Sequence, residues 1–408
     1  MFLTNDSKKR KYLLWASLIA NLGILGFFKY FNFFIDSFQV LSSKIGWNLD
    51  FLHLNILLPV GISFYTFQTL SYTIDIYKRK LEPTNNLIEF ALFVSFFPQL
   101  VAGPIERAKD LLPQLKVKLS PTIDQIKQGV TLVIFGLFKK VMIGDTAGRF
   151  VDNIFGNLEE YKSFELIAAL VLFSIQIYAD FSGYSSIARG TSKLLGVELM
   201  KNFEQPYLSR NITEFWRRWH ISLSSWLKDY LYISLGGNRS GRIRTYLNLM
   251  ITMLLGGLWH GASWNFVIWG GLHGLYLACH KLMIGNNKVE ENSNFRLTDF
   301  FKILSTYLLV LFTWLFFRST SWDSTLLFLS KLIYWEKSEY SLMFMIVISS
   351  YVLMTLIFDL FEYRTGRHTY LLRLESRGLK IGILSALLFV TLIYLFQAEP
   401  APFIYFQF

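Results

Sequence analysis

The chain predicts an all-α polytopic membrane protein, a helical bundle with re-entrant segments and a central tunnel, and three observations carry that prediction. The first is composition. Of 408 residues 53% are hydrophobic and 17% charged; counted with Gly in place of Tyr, the apolar share is roughly 54%, against ~45–50% in soluble domains, whose charged share is ~25%. The second is a mean hydropathy of +0.37 with 39 Phe residues. The third is the recurrence of long runs free of Asp, Glu, Lys and Arg. Together these exclude disorder, a coiled coil, collagen and an ordinary cytosolic enzyme. A membrane β-barrel would show alternating segments of ~10 residues, and the sequence has none.

The uncharged runs, in order, are 12–28, 51–74, 90–105, 128–138, 166–179, 245–280, 303–317, 340–358 and 381–398. A spanning helix needs ~20 apolar residues. Residues 340–358 and 381–398 are clean spans. The run 245–280 is long enough for two short spans, with Gly256-Gly257 and Gly261 at their junction. Residues 90–105 and 128–138 are short, so they are tilted, re-entrant or extended past a charge. Pro98 and Gly103-Pro104 interrupt the apolar stretch FFPQLVAGPIER. Backbone broken at membrane depth must face protein or a cavity, which points to a funnel or tunnel in the bundle. Nine to eleven membrane segments are expected, in a single domain over 1–408, with no internal repeat or flexible linker. No small-residue cleavage site follows the first apolar run, so a cleavable signal peptide is not expected.

Loop charge orients the chain. Lys8 to Lys11 place the N-terminus in the cytoplasm. The loop 35–50 carries Lys44 as its one Lys or Arg and reads outside; Lys78-Arg79-Lys80 reads inside. Segments 148–163 and 319–339 read outside. Arg189, Lys193 and Lys201 read inside, as do Arg364 to Lys380, and the last span sends Phe408 out. The net charge of +11 is then leaflet anchoring rather than nucleic-acid binding, since no basic run exceeds the four residues 8–11. One cysteine, Cys279, excludes an internal disulfide and a multi-cysteine metal site.

Segment 210–244, RNITEFWRRWHISLSSWLKDYLYISLGGNRSGRIR, is unusual. Trp219, Leu223, Trp226, Leu227 and Tyr230 fall at helical spacing in one apolar stripe, with Arg217, Arg218 and Lys228 supplying charge. The plain reading is an amphipathic helix lying on the cytoplasmic leaflet among membrane lipids. Its cations also suit an anionic donor such as coenzyme A. His220 lies within this segment and His260 within the uncharged run 245–280. An imidazole at membrane depth is costly unless used or paired; His260 is a candidate base or a packing histidine. His273 and His280 suit packing or interfacial roles, and His53 and His368 look peripheral. Asp180 is read as a cap at a helix end or one half of an intramembrane ion pair. No HExxH, CxxC or GxSxG pattern occurs, and no metal is expected.

Five stretches resemble the membrane-bound O-acyltransferase family, and within it the bacterial subgroup of alginate O-acetylation membrane proteins. They are ISFYTFQTLSYTIDIY (62–77), FFPQLVAGPIERA (96–108), QIYADFSGYSSIARG (176–190), NFEQPYLSRNITEFWRRWHISLSSWLKDYLYISLGGNR (202–239) and LGGLWHGASWNFVIWGGLHG (255–274). The resemblance implies a helical acyltransferase with a central tunnel in a bacterial plasma membrane. It implies a catalytic histidine at the Trp-His-Gly position, His260, and a second polar position at His220. It also implies an acyl donor, usually acetyl-CoA, an exported polysaccharide or cell-wall polymer as acceptor, and often an extracytoplasmic SGNH-type esterase-like partner. Family relatives carry further hydrophobic segments ahead of the basic loop that stands here at residue 8, so a shortened outer wall is expected.

On this reading His260 takes a hydroxyl proton, and His220 positions the thioester carbonyl or orients His260. Arg217 and Arg218 hold donor phosphates or anchor to lipid; Trp219 and Trp259 wall the tunnel. Two alternatives stay open: D-alanyl transfer to teichoic acid, and a transporter or flippase for a polymer precursor, for which an imidazole at His260 has no purpose.

Overall fold

A computed structural model describes residues 1–2, 4–47, 53–54, 56–100, 103–284, 296–397 and 403–404; Phe408 lies outside the described residues. Among them there is no strand. The first element is a continuous rod of 38 residues: α1 (Ser7–Leu25), a π-helical turn (Gly26–Tyr30) and α2 (Phe31–Lys44). Asp6 starts it by accepting the free amides of Lys8 and Lys9, which a helix N-terminus leaves without intrahelical partners. The sequence placed a loop from residue 35; instead the helix runs on to Lys44.

Next come α3 (Ile62–Tyr77), α4 (Leu87–Ser95), α5 (Ala108–Leu115) and α6 (Ile123–Phe138). A π segment (Lys139–Asp145) joins α6 to α7 (Thr146–Gly156) in one rod. The 32-residue α8 (Ser163–Leu194) follows, then the short α9 (Ile212–Arg218), α10 (Ile221–Trp226) and a π turn (Leu227–Tyr232). The remainder is α11 (Arg242–His260), α12 (Trp264–Ile284), α13 (Leu297–Arg318), α14 (Trp322–Ile333), α15 (Ser341–Thr365) and α16 (Arg377–Gln397).

Five helices are long and apolar enough to cross a membrane: the first rod, α8, α13, α15 and α16. α3, the α6–α7 rod, α11 and α12 are further long helical elements among the described residues. Burial separates centre from rim. In α8 83% of the apolar window is inside the protein, against 6% in α16 and in the first rod. α8 is therefore the axis, and the outer helices present their apolar surface to lipid. α6 meets α8 at two glycine pairs, Gly136 with Gly183 and Gly129 with Gly190, where an added Cβ would stand 2.5–2.8 Å from the opposing carbonyl oxygen. Lipid tails are as apolar as side chains, so helices in a membrane associate by such close packing.

The broken segment after α4 faces protein: Phe96, Gln99, Ile105 and Glu106 are buried, and Glu106 accepts the Met200 amide at 2.6 Å. The stripe of 219–230 departs from expectation. It is not one helix, because the chain breaks at Trp219–His220, and its five members are buried in the core. Trp226 stacks on Phe67 at 3.9 Å and donates to its carbonyl at 3.0 Å, while Tyr230 donates to Asp75 at 2.7 Å. The apolar face thus packs against α3 and the core instead of lipid.

Candidate active site

His260 is the last residue of α11, followed by the extended Gly261. Its exposure is 5%. Its ring packs against Trp259 and Trp269, both at 5.0 Å, and Phe317 at 5.3 Å. An added Cβ on Gly261 would stand 2.1 Å from the Phe266 ring, so only glycine lets the chain turn off the helix there.

His220 reaches the same place from the other side of the sequence. It is fully buried and holds a left-handed backbone, φ +41°, which a non-glycine residue adopts at a cost of about 1–3 kcal/mol. Asn202 over-determines the turn: its carbonyl accepts the Ile221 amide at 2.9 Å and its side chain the Ser222 amide at 3.3 Å. The imidazole lies against Phe181 at 4.7 Å and Trp259 at 6.2 Å. The Trp259 indole therefore neighbours both imidazoles, and Phe64 and Phe67 of α3 also pack against it. Strained backbone held by its surroundings concentrates at functional sites, which keeps His220 a candidate.

The other predicted residues sort by their contacts. Trp219 is a core residue among Phe203, Phe215 and Trp314. Arg218 is tied to Glu214 at 2.6 Å and lies over Tyr363, whereas Arg217 is exposed. His273 has both ring nitrogens engaged: Trp216 donates to Nδ1 at 3.2 Å, so Nε2 carries the proton facing Thr313 Oγ1 at 3.0 Å. It is a packing histidine, as its spacing suggested. His280 meets Thr213 at 2.7 Å, and His53 sits exposed beside Asp36.

Two polar clusters carry more than the sequence suggested. Asp180, in the middle of α8 rather than at a helix end, pairs with Lys140 at 2.9 Å and accepts the Ile404 amide. His368, expected to be peripheral, joins a buried group in which Glu362 accepts from Lys139 at 2.8 Å and Gln205 at 3.1 Å, and Arg189 meets His368 at 3.1 Å. Beside it Ser182, Ser185, Arg189 and Asn202 line a cavity of about 10 Å³, room for about one water. Sequence reading missed Asn202, Lys139 and Glu362. It also missed Lys29 and Tyr30, which hold the end of α11; the available signal was a lysine inside the aromatic run FFKYF.

The family model for the membrane-bound O-acyltransferases matches residues 79–320, which include α11, α12 and both imidazoles. The chain belongs to this family. Relatives of this family member include a probable alginate O-acetylase of Pseudomonas aeruginosa, 45% identical over 75% of this chain and 57% of its own length. A peptidoglycan O-acetyltransferase of Helicobacter pylori is 38% identical over 79% of this chain and 64% of its own length. A teichoic acid D-alanyltransferase of Bacillus subtilis is 25% identical over 63% and 68%. The chain spans about three fifths of the length of the alginate O-acetylases it matches.

Proposed function

We propose that this chain is one transmembrane domain of a polymer O-acetylation system in a bacterial plasma membrane. It passes an acetyl group from cytoplasmic acetyl-CoA toward an exported polysaccharide or cell-wall polymer, with an SGNH-type extracytoplasmic partner. The observation that carries the reading is the pair of buried imidazoles, His220 and His260, that both neighbour the Trp259 ring. The alginate and peptidoglycan relatives support acetyl as the group moved, and the lower identity to the D-alanyltransferase makes that rival the weaker reading.

Acyl transfer needs a base at the hydroxyl and relief of charge on the carbonyl oxygen. His260 takes the hydroxyl proton as its oxygen attacks the thioester carbonyl; the C–S bond breaks and the coenzyme A thiolate leaves, to be protonated in turn. His220 positions the carbonyl or orients His260. Trp259 and the aromatic shell keep water from the thioester. Arg217, exposed on the proposed cytoplasmic face, suits the donor phosphates.

The test is acceptor acetylation and thioester hydrolysis in membranes at matched protein level. As general base, His260 is worth on the order of 10²–10⁴-fold. His260→Ala inserts normally but does not acetylate, and His260→Gln fails equally because an amide does not take the proton. His220→Asn keeps partial activity. A packing histidine predicts the reverse, Gln tolerated and Ala destabilising; near-normal turnover by His260→Gln would take the base role away from this residue, and no thioester hydrolysis by the unsubstituted protein would favour the transporter.

A further inference from the structure

A helix ends with carbonyls that have no amide to accept from, and α11 ends at the proposed base. Its last three carbonyls are claimed by two consecutive side chains of the π turn in the first rod. Tyr30 donates to the Leu258 carbonyl at 2.9 Å. Lys29 donates to the Trp259 carbonyl at 2.6 Å and to that of His260 at 3.1 Å, with its ammonium 5.9 Å from the Trp259 ring centre. Among the described residues the partners of this ammonium are carbonyl oxygens and an aromatic face, not a carboxylate. A cation at membrane depth is expensive and is retained where it does something. A π turn interrupts a helix in the same way, as a local irregularity common at functional sites.

We propose that Lys29 is a positioning residue for His260. The ammonium clamps the two peptide units that flank the His260 Cα, Trp259–His260 and His260–Gly261, and so fixes where the imidazole stands relative to Trp259 and His220. The first rod, otherwise a lipid-facing outer helix, thereby becomes part of the catalytic machinery. Tyr30 supports the same helix end one residue earlier. The inference rests on the reading of His260 as the base.

Placement errors of about 1 Å cost up to ~10²-fold in rate, so Lys29→Met is expected to lower kcat by about 10- to 100-fold while donor KM stays within about twofold. Lys29→Arg, which keeps a charged donor, restores most of kcat, and Tyr30→Phe costs less than Lys29→Met. The measurement is kcat and donor KM for thioester hydrolysis in membranes, with His260→Gln in parallel. An inactive His260→Gln beside a fully active Lys29→Met overturns the positioning role and leaves the base assignment standing; an active His260→Gln overturns the base assignment itself. If Lys29→Met does not insert, Lys29→Gln retains a neutral donor. A kcat loss in Lys29→Gln that Lys29→Arg repairs supports the proposal, and unchanged kcat, or loss through KM or protein level alone, overturns it.

Discussion

Adjacent arginines in Trp216-Arg217-Arg218-Trp219 do different work. The Arg218 guanidinium is half-buried, bridges to Glu214 and faces Tyr363; Arg217 points to the exposed face of the same turn. Removing Arg218 takes one of the Glu214 carboxylate's partners and leaves it the Arg210 amide, and a hydrogen bond to a charged group is worth about 1.5–3 kcal/mol. Arg218→Ala is therefore expected to lower the melting temperature in detergent with donor KM unchanged. Arg217→Ala is expected to raise donor KM with kcat unchanged, the signature of lost uniform binding. The opposite assignment would make Arg217 the anchor. The sequence showed that both were cations beside an apolar stripe, but not which one Glu214 claims, because a helical turn fixes neighbours and not rotamers. The histidines divide for the same reason. Trp-His-Gly marked His260 and spacing suggested packing for His273, yet the Trp216 and Thr313 bonds that engage both nitrogens of His273 come from elements 57 and 40 residues away. Lys29 was less legible still, since its partners lie 230 residues on.

The hairpin of α11 and α12 was readable as two spans from one uncharged run, and the structure divides 245–280 in that way. The junction differs in detail. The turn is at 261–263, and Gly257 lies one turn inside α11, where an added Cβ would be 2.2 Å from the Phe266 carbonyl oxygen. Gly270 answers it from α12, with 2.2 Å to the Met253 carbonyl oxygen, whereas Gly271 meets only a Leu254 methyl at 3.4 Å. The two helices thus pack backbone to backbone along one line, and a methyl group on that line has nowhere to go. Gly257→Ala and Gly270→Ala are expected to destabilise by at least the 1–3 kcal/mol typical of overpacking, with loss of acetylation because the end of α11 shifts. Gly271→Ala is expected to be neutral or to gain up to about 1 kcal/mol from helix propensity. Thermal unfolding of the three variants in detergent checks this, and equal behaviour would dissolve the close-packed line. Hydropathy alone does not separate these glycines: all sit in one apolar run, and only the helix crossing distinguishes them.

Across the whole molecule, apart from buried pairs such as that of Lys140 with Asp180 in the middle of α8, ion pairs and caps among the described residues fall into two groups that follow the loop labels expected from charge. At one end Arg10 and Arg79 join the N-terminus to the close of α3, Arg210 meets Asp299 and Thr213 meets His280, and Arg189 meets His368. The N-terminus, 78–80, 189–201, 210–244 and 364–380 read as cytoplasmic, and Asp299 and His280 are held to one of these segments. At the other end Arg318 pairs with Asp152 and Lys331 caps carbonyls of Glu159 and Tyr161, joining two segments that both read outside. Chain order alone does not require this pairing, since a wrong span count would have brought opposite labels into contact. The absolute direction rests on the basic excess of the first end. Cys279, exposed near the end of α12, then lies on the cytoplasmic side. In intact cells a membrane-impermeant maleimide is expected to leave Cys279 unlabelled until the membrane is opened. In a Cys279→Ser background the same reagent should label Asn157→Cys from outside and Arg367→Cys only after permeabilisation. Labelling of Asn157→Cys and Arg367→Cys from the same side would break the two-ended arrangement, whereas labelling of Arg367→Cys alone from outside would keep the architecture and invert it. Inversion would put Arg217 on the outer face, away from cytoplasmic acetyl-CoA, so this experiment also tests the proposed direction of transfer.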